Sequence, residues 1–575
     1  MNRNIYVCGK TTPHEITLKC KDHPFAVDEY FVIDDNFNNN PLCKVQTSEI
    51  IYEDGSPVYI ATAKVESNAR YPIALGAQAF TPTFDQISPF VMKTHPQNGF
   101  VLGEIIGTNV ADIPDEFKSL VAMYDGKIYE QSALPFVFNY KKMIESPHIG
   151  LFGGSGSGKT VAMKVLIEEL MKQNMPSIVF DPHFEMNFAE NNPIIPSKYK
   201  CYFSPICETF VVGKNNFGID FSEITTKELI VILSRVKELT GLMETLLSTL
   251  HHNGMTLLEL NTILNDLIAV YSKLDAHQPL DDQEQLLYNQ YAAKIPSFSS
   301  LIGISSRLND PDTLKVFKGN IHALQRALLD QKTCIIRGTE RDVEIIAPYI
   351  IEKMYLLRRS FIDAREWGNT DATIFPPFFI CMDEAHIYCP KDKPSLTKNV
   401  MRTIAQEGRK YGVFEILGTQ RPALLDETIV AQISTKFIFR INVAEDIKSI
   451  QKETDLNAAE IKRLVYLNSG ECYVSSPILG RTVCVKMRYG ITVAKTVTNP
   501  FDEIMAKPKL SDVEKCILNI LPFNDLNLTK VIQEINKVTG KTLSVPEMNK
   551  QLSDMAIKGL ISIESAFMGK SYFKK

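Results

Sequence analysis

The sequence carries little net charge, no paired cysteine motif and no long apolar run. Its 62 Lys and Arg residues oppose 67 acidic residues, so no overall basic field attracts nucleic acid, and any such binding must use a local patch or channel. The eleven cysteines include no C-x-x-C pair, which argues against a zinc site and against a disulfide framework. Neither a signal-peptide pattern nor a run of about 18 apolar residues occurs, so we expect a cytoplasmic protein.

At 575 residues the chain is too long for one hydrophobic core, and several domains are expected. Short strand patterns separated by turn signals predict a small N-terminal β-barrel over residues 1–125. The predicted strands include 4–8, 15–19, 29–33, 58–64 and 100–106, with loops at 36–41 and 82–89.

From Pro135 the pattern changes to alternating strands and helices. Short apolar runs at 177–180, 333–336, 377–382, 413–417 and 436–441 are typical of buried parallel strands joined by helical crossovers. They predict an α/β core with a parallel sheet, built from residues 126–223 and 331–500. The segment 224–330, rich in Leu, Glu, Lys and Gln, predicts a helical subdomain inserted between the two parts.

Residues 505–575 predict a separate winged-helix-like module. Helices are expected at 510–521, 527–539 and 545–559, followed by a strand near 561–564. From 501 to 575 there are 11 lysines and 9 acidic residues. This near-neutral balance leaves DNA and protein contacts as equal alternatives for the module.

The most informative motif has the form G-x-x-x-x-G-K-[ST] and reads Gly153, Gly154, Ser155, Gly156, Ser157, Gly158, Lys159, Thr160. Glycines let backbone N–H groups curl around phosphate oxygens, and the following helix adds its positive dipole end. Lys159 then reaches the β- and γ-phosphates, while the Thr160 hydroxyl ligates magnesium. A Gly/Ser-rich surface turn is the alternative, but the strand before and the helix after favour an ATP site.

An acidic pair follows the apolar strand pattern at 378–382. A phosphate-loop ATPase needs a carboxylate at such a strand end, which Asp383 supplies to hold Mg²⁺ opposite Thr160. Glu384 is the candidate for orienting and deprotonating the attacking water. Acidic pairs are common where strands meet loops, so the assignment depends on the phosphate loop upstream.

Two further polar residues fit the same site. Gln420, after the strand at 413–417, can hydrogen-bond both the γ-phosphate and the lytic water, and an ordinary polar loop residue is the less favoured alternative. Arg409 is a candidate arginine finger, a permanently charged donor to the γ-phosphate held by a neighbouring subunit. Taken alone, an arginine at this position would more simply be a solvated surface residue.

With these motifs in this order and spacing, the chain resembles the HerA-type ATPases of the FtsK/HerA superfamily. The resemblance covers about residues 1–490 and includes Glu407–Lys410, Thr419–Pro422, a D-P-H-x-E segment at 181–185, and His148. It implies a RecA-like core and catalytic roles for Lys159, Glu384, Gln420 and Arg409. It adds Asp181, Glu185 and Arg440 as candidates for nucleotide contact.

Two positions depart from the family pattern. Phe184 replaces the small glycine of the D-P-H-G-E segment, so we expect the loop conformation there to differ. Pro147 precedes His148 where an arginine is expected, which puts an additional arginine from the same chain in doubt. The C-terminal module is also no signature of the family core.

The resemblance implies a homohexameric, Mg²⁺-dependent ATPase that moves along double-stranded DNA threaded through its pore. It also implies a separately encoded effector, a nuclease or a sirtuin-like protein, as in antiviral defence systems. We expect this effector to dock on the N-terminal barrel, because that domain has no chemistry of its own to perform. The alternatives are a DNA-end-resection helicase working with a repair nuclease, and a regulatory ATPase scaffold that licenses an effector without translocation. A transporter relative is disfavoured because no membrane span is predicted.

Overall fold

The computed structural model describes residues 4–110, 112–118, 122–124, 127–129, 131–291, 294–295, 297–369, 372–493, 510–566 and 569–574. The chain divides into two compact units, Met1–Lys495 and Thr496–Lys575. The predicted domain boundaries at 125–126 and 500–505 lie outside the described residues. In the described part, no helix is long and apolar enough to cross a lipid bilayer.

A closed six-stranded barrel begins the first unit. Its strands pair in the order β1-β2-β5-β4-β3-β6, and β6 returns to β1. Alternating residues of these strands fill the interior, where Leu18, Phe31 and Val45 are fully buried. The strands are β1 (Ile5–Cys8), β2 (Glu15–Cys20), β3 (Tyr30–Ile33), β4 (Leu42–Glu53), β5 (Ser56–Val65) and β6 (Gln78–Phe80).

Two details of the predicted N-terminal region are wrong. The strand predicted at 100–106 is observed as Phe100–Ile105, but it pairs in the large sheet of the core instead of the barrel. The predicted loop at 82–89 contains the helix α1 (Phe84–Val91). Thr83 and Gln86 form a capping box that starts this helix, and its buried apolar face outweighs the unfavourable Pro89 in its interior.

The core is a mixed sheet of eleven strands. Seven strands run parallel in the order β17-β11-β16-β15-β12-β14-β13, and the apolar runs predict all of them except the edge strand β13. Four further strands, β18, β19, β7 and β10, extend it in antiparallel pairing and were not anticipated as part of the sheet. Its strands are β7 (Phe100–Ile105), β10 (Pro135–Phe138), β11 (Ile149–Phe152), β12 (Ser177–Phe180), β13 (Cys207–Val211), β14 (Thr333–Arg337), β15 (Phe378–Met382), β16 (Val413–Thr419), β17 (Thr435–Ile438), β18 (Glu471–Ser475) and β19 (Val483–Met487).

Helices cover the sheet and fill the predicted insertion. Seven of them, α3 to α9, lie between β13 and β14 and account for the helical composition of that segment. A separate hairpin consists of β8 (Ala122–Tyr124) and β9 (Lys127–Tyr129). The helices of this unit after α1 are α2 (Lys159–Lys172), α3 (Thr226–Val236), α4 (Gly241–Leu250), α5 (Leu257–Asp275), α6 (Asp282–Tyr291), α7 (Phe298–Leu308), α8 (Pro311–Val316), α9 (His322–Leu329), α10 (Glu340–Glu366), α11 (Ala385–Tyr388), α12 (Leu396–Tyr411), α13 (Glu427–Gln432), α14 (Ala444–Lys452) and α15 (Ala458–Arg463).

Topology decides where the candidate residues meet. The four central strands β11, β16, β15 and β12 are neighbours, parallel and fully buried along their length. Their carboxyl ends therefore lie side by side at one edge of the sheet, where ligands of open α/β sheets bind. The phosphate loop, Asp383, Gln420 and Asp181 each follow one of these strands directly.

The second unit has the winged-helix order of elements that its sequence predicts. A three-stranded sheet in the order β20-β22-β21 packs against three helices around the buried residues Ile517, Ile535 and Met548. The strands β20, between the first two helices, and β22, after the predicted strand, were not anticipated. The elements are α16 (Asp512–Ile520), β20 (Phe523–Asn524), α17 (Leu528–Thr539), α18 (Val545–Ile557), β21 (Ile561–Ala566) and β22 (Gly569–Lys574).

Candidate active site

The phosphate loop uses its glycines where side chains would clash. A Cβ on Gly153 would come within 2.6 Å of the Phe439 Cβ. Gly158 adopts φ +100° as the residue before α2, and a Cβ there would lie 2.7 Å from the Gly470 backbone nitrogen. Both glycines are thus required for the turn from β11 into the helix, whose N-terminus faces the loop.

Two of the loop amides anchor the loop instead of pointing into it. Gly153 N–H donates to the Thr419 carbonyl at 3.2 Å, and Gly154 N–H donates to the Arg440 carbonyl at 2.8 Å. Ser157 Oγ is buried and has no hydrogen-bond partner among the described residues. A buried hydroxyl without a partner is costly, and a phosphate oxygen in the loop would satisfy it.

The phosphate-loop lysine and threonine meet the acidic pair directly. Lys159 Nζ pairs with Asp383 Oδ1 and lies 3.2 Å from Glu384 Oε1. Thr160 Oγ1 donates to Asp383 Oδ2 at 3.0 Å. The structure therefore brings together, from two strands, an ammonium group for phosphate and the hard oxygen donors, a hydroxyl and a carboxylate, that Mg²⁺ prefers.

Gln420 holds the candidate catalytic carboxylate. Its side-chain Nε2 donates to Glu384 Oε1 at 2.6 Å, and its backbone N–H donates to Glu384 Oε2 at 3.3 Å. Glu384 itself adopts φ +48°, a left-handed backbone conformation that is strained for a glutamate. Such strain is typical of functional positions, and here it aims the carboxylate at the cleft beside Lys159.

His386 is a neighbour of this carboxylate that sequence reasoning missed. Its Nδ1 lies 2.9 Å from Thr419 Oγ1 and 3.5 Å from Glu384 Oε2. Thr419 Oγ1 also accepts from the Arg421 N–H at 3.0 Å. Burial lowers the pKa of His386 from its usual 6.5, which favours the neutral ring. The one sequence signal that could have identified His386 as part of the site is its position two residues after Glu384.

The Asp181 carboxylate stabilises the loop that follows it. Its buried carboxylate accepts the backbone N–H groups of Glu185 and Met186 at 2.8 and 3.2 Å, and Arg337 Nε at 3.0 Å. Phe184, the departure from the family pattern, adopts φ +58° and lies under the Arg337 guanidinium, 5.5 Å from ring centroid to cation. Arg337 was not anticipated as part of this loop.

Glu185 and Arg440 border the same cleft. Burial and the negative charge of Asp383 raise the pKa of Glu185, which places its carboxyl near the acidic pair. Arg440 follows β17 beside the phosphate loop, and its half-buried side chain makes no hydrogen bond within the described residues. Its guanidinium is thus a cation available to a bound phosphate, and the nucleotide contacts of Arg440, Asp181 and Glu185 all stay predictions.

Arg409 is the one catalytic candidate that the structure places far from the others. It lies near the end of α12, exposed, four residues before β16 begins. The cleft lies at the opposite end of β16, about 20 Å away at about 3.3 Å per residue. An arginine side chain cannot bridge that distance, so Arg409 does not contact the site of its own chain.

A buried polar pair lies beneath the site at the amino ends of the strands. His148 Nδ1 is 4.0 Å from Glu415 Oε2, and both side chains are fully buried. Neither carboxylate oxygen of Glu415 has a hydrogen-bond partner in the described part of the chain. Burial lowers the pKa of His148 to about 4, which keeps its ring neutral at pH 7, and burial raises the pKa of Glu415 well above 4.5.

Replacing Glu415 by methionine should stabilise the protein, and more so at high pH. Above the ordinary carboxyl pKa the unfolded state ionises while the folded state keeps its proton, so each pH unit costs the wild type about 1.4 kcal/mol until the folded pKa is reached. Glu415→Met removes this cost and retains the unbranched shape. Thermal unfolding of the variant and the wild type, compared at about pH 5 and about pH 8, tests this prediction. A Tm below wild type at both values would show that the carboxyl has an unrecognised partner.

A phosphate loop, a magnesium-type acidic pair and a polar sensor at the carboxyl edge of a parallel sheet define a P-loop ATPase. The family model described as "Helicase HerA, central domain" matches residues 124–328. The resemblance to the HerA-type ATPases is confirmed, and the chain is a P-loop ATPase with a RecA-like core and an N-terminal barrel.

Curated relatives extend the match along the chain. A DNA double-strand break repair helicase HerA from Saccharolobus solfataricus is 23% identical over 493 residues, covering 84% of this chain and 91% of the relative. A protein of the same name from Sulfurisphaera tokodaii is 23% identical over 346 residues, covering 59% of this chain and 64% of the relative. Among solved structures, the plasmid coupling protein TrwB in complex with ADP and Mg²⁺ has a TM-score of 0.39 at 12% identity, covering 69% of this chain and 96% of that one.

Proposed function

We propose that copies of this chain form a closed ring, a hexamer as in the resemblance, that hydrolyses ATP between subunits and moves along double-stranded DNA. One subunit binds ATP with Lys159, Thr160, Asp383 and Glu384. The next subunit inserts Arg409. Head-to-tail contacts of this kind close into rings when the rotation between copies permits.

The main observation in support of a ring is that the candidate site within one chain lacks Arg409. Every candidate for phosphate, metal and water lies at the carboxyl edge of the sheet, whereas Arg409 lies exposed at the amino edge. A second copy whose amino edge faces this cleft would supply the missing positive charge for the γ-phosphate. Arg409 cannot reach the cleft of its own chain, which supports a neighbouring subunit as its site of action.

Within the cleft each residue has a distinct task. Lys159, the dipole of α2 and Arg440 bind the triphosphate, and Thr160 with Asp383 would hold Mg²⁺. When bound, Mg²⁺ neutralises the charge that develops on the phosphates. Glu384 accepts the proton of the attacking water, and Gln420 holds the carboxylate in place for that transfer.

Relatives named as DNA double-strand break repair helicases support DNA as the track. The net charge of −5 means that DNA contacts have to be concentrated in a local surface such as a ring pore. Such contacts go to phosphates, so we expect binding that is independent of sequence and weakened by salt.

Comparing ATP hydrolysis with and without linear duplex DNA tests this function. We expect duplex DNA to stimulate hydrolysis, with less stimulation at higher salt and none for Lys159→Ala. Hydrolysis that is unaffected by DNA at every salt concentration would instead favour a regulatory scaffold that assembles an effector. Negative-stain images of the same samples report whether rings are present.

The proposal includes a separately encoded effector, a nuclease or a sirtuin-like protein, that docks on the barrel. The long hairpin of β4 and β5 supports this site. Beyond Gln46, β4 lacks a partner strand on its outer edge in the described barrel, and Ile50, Ile51 and Tyr52 are exposed there. An exposed strand edge with apolar side chains is a template for another protein.

Changing Ile50 and Tyr52 together to aspartate should abolish effector capture and leave ATP hydrolysis unchanged. Both side chains are more than half exposed, so neither supports the fold. Phe37→Asp is the matched control, since Phe37 is 85% exposed elsewhere on the barrel. To test this prediction, tagged variants are purified from the native host and the co-purifying proteins are identified by mass spectrometry. Recovery of no effector with the wild type, on or off DNA, would contradict the partner; the identity of any effector distinguishes antiviral defence from end resection.

A further inference from the structure

His148 joins three elements that each end in a candidate catalytic group. It precedes β11, which leads to the phosphate loop. Its Nδ1 accepts the backbone N–H of Glu415 in β16 at 3.0 Å, and β16 leads to Gln420. Its Nε2 lies 3.1 Å from the Ala405 carbonyl in α12, the helix that carries Arg409.

The partners of the ring fix its protonation. Because Nδ1 accepts a backbone N–H, the proton of the neutral ring must be on Nε2, which therefore donates to Ala405. Complete burial and the nearby positive charge of Arg409 both lower the pKa of His148, to about 4, so this tautomer prevails at neutral pH. Burial also raises the pKa of the adjacent Glu415 carboxyl well above its ordinary value.

The Ala405 carbonyl is a specific point of attachment. In an α-helix the carbonyl of residue i accepts the amide N–H of residue i+4, so Ala405 is the partner of the Arg409 amide. The imidazole thus donates to the very carbonyl that fixes the Arg409 backbone. Any shift of β11 relative to α12 reaches Arg409 through this hydrogen bond.

We infer that His148 is a positioning residue for Arg409, which it couples to the phosphate-loop strand of its own chain. It touches neither ATP nor the reacting atoms. Its effect appears at the neighbouring subunit, where Arg409 acts. The inference rests on the proposed action of Arg409 between subunits, and the test below separates the two ideas.

The test uses rings mixed from two inactive chains. Arg409→Ala chains keep a complete ATP site but lack the finger, whereas Glu384→Gln chains keep the finger but cannot hydrolyse their own ATP. Activity then arises only where a Glu384→Gln chain donates Arg409 to an Arg409→Ala chain. A His148 substitution can therefore be placed in the finger donor or in the ATP-holding chain.

Two substitutions separate the hydrogen bonds of the imidazole. Asparagine places its oxygen near the position of Nδ1 and loses the donor to Ala405, while glutamine places its nitrogen near Nε2 and keeps that donor. His148 adopts φ +65°, which asparagine tolerates better than glutamine. A purely structural role therefore predicts that glutamine is the more damaging change, and positioning of Arg409 predicts the reverse.

We expect His148→Asn in the finger donor to lower the recovered kcat roughly fivefold to tenfold, the effect of one lost hydrogen bond. The same change in the ATP-holding chain should have little effect, and His148→Gln in the donor should retain most of the activity. Equal losses in either chain, or a larger loss with glutamine, would overturn the inference while leaving the in-trans finger intact. If the mixture without any His148 change recovers nothing, the proposed action of Arg409 fails first.

Discussion

Glu384→Gln should bind ATP as tightly as the wild type and turn it over about 10²–10⁴-fold more slowly, the usual contribution of a positioned general base. The amide keeps the size of the carboxylate and can still meet Gln420, but it cannot accept the proton of the attacking water. In kinetic terms the change should lower kcat with little change in nucleotide affinity. Equilibrium ATP binding and steady-state hydrolysis, measured on the same preparation, check both halves.

Lys159→Ala is the informative contrast to this variant. It removes the ammonium group that the structure places between the phosphate loop and the acidic pair, so ATP binding should be lost together with hydrolysis. A Glu384→Gln protein that hydrolyses ATP at nearly the wild-type rate would assign the catalytic carboxylate elsewhere. His386 and Asp383 would then need testing as the next nearest groups.

Arg409→Ala should lower kcat by roughly 10²-fold or more while the monomer fold and ATP binding persist, as for the loss of an arginine finger. The side chain is exposed and lies about 20 Å from its own cleft, so its loss leaves that cleft complete. Circular dichroism, ATP affinity and ring formation should match the wild type. A lower ATP affinity with unchanged kcat would indicate a binding role instead.

Mixing Arg409→Ala with Glu384→Gln decides whether the arginine acts between chains. In equal mixtures about a quarter of the interfaces pair a complete ATP site with an intact finger, because each head-to-tail interface takes one group from each neighbour. Measurable activity should therefore return from two inactive proteins. No recovery at any ratio, in rings shown to contain both chains, would contradict an in-trans role.

The sequence predicted the site well where one motif fixes both chemistry and position. The phosphate loop, Asp383 and Gln420 each follow an apolar strand, and parallel strands bring their carboxyl ends together. The spacing of apolar runs thus sufficed to place Lys159, Thr160, Glu384 and Gln420 in one cleft. The helical insertion and the order of elements in the C-terminal module followed from local composition in the same way.

Features that depend on distant pairing could not be predicted. Nothing local to 100–105 shows that this strand leaves the barrel for the core sheet, because its partners lie at 135–138 and 483–487. The proline at 89 argued against a helix, yet α1 forms because its N-terminal capping box and its buried apolar face stabilise it. His148 and Glu415 are 267 residues apart, so their contact appears only once β11 and β16 are neighbours.

Displacement of a third strand from duplex DNA tests the central claim of movement most directly. A triplex-forming oligonucleotide is bound at increasing distances from a free duplex end, and its release is followed after ATP is added. If the protein translocates, the third strand should be released after a lag that lengthens with distance. This release should require hydrolysable ATP and should be absent with Glu384→Gln. Hydrolysis that is stimulated by DNA but releases the third strand at no distance would contradict translocation and leave a DNA-dependent switch in its place.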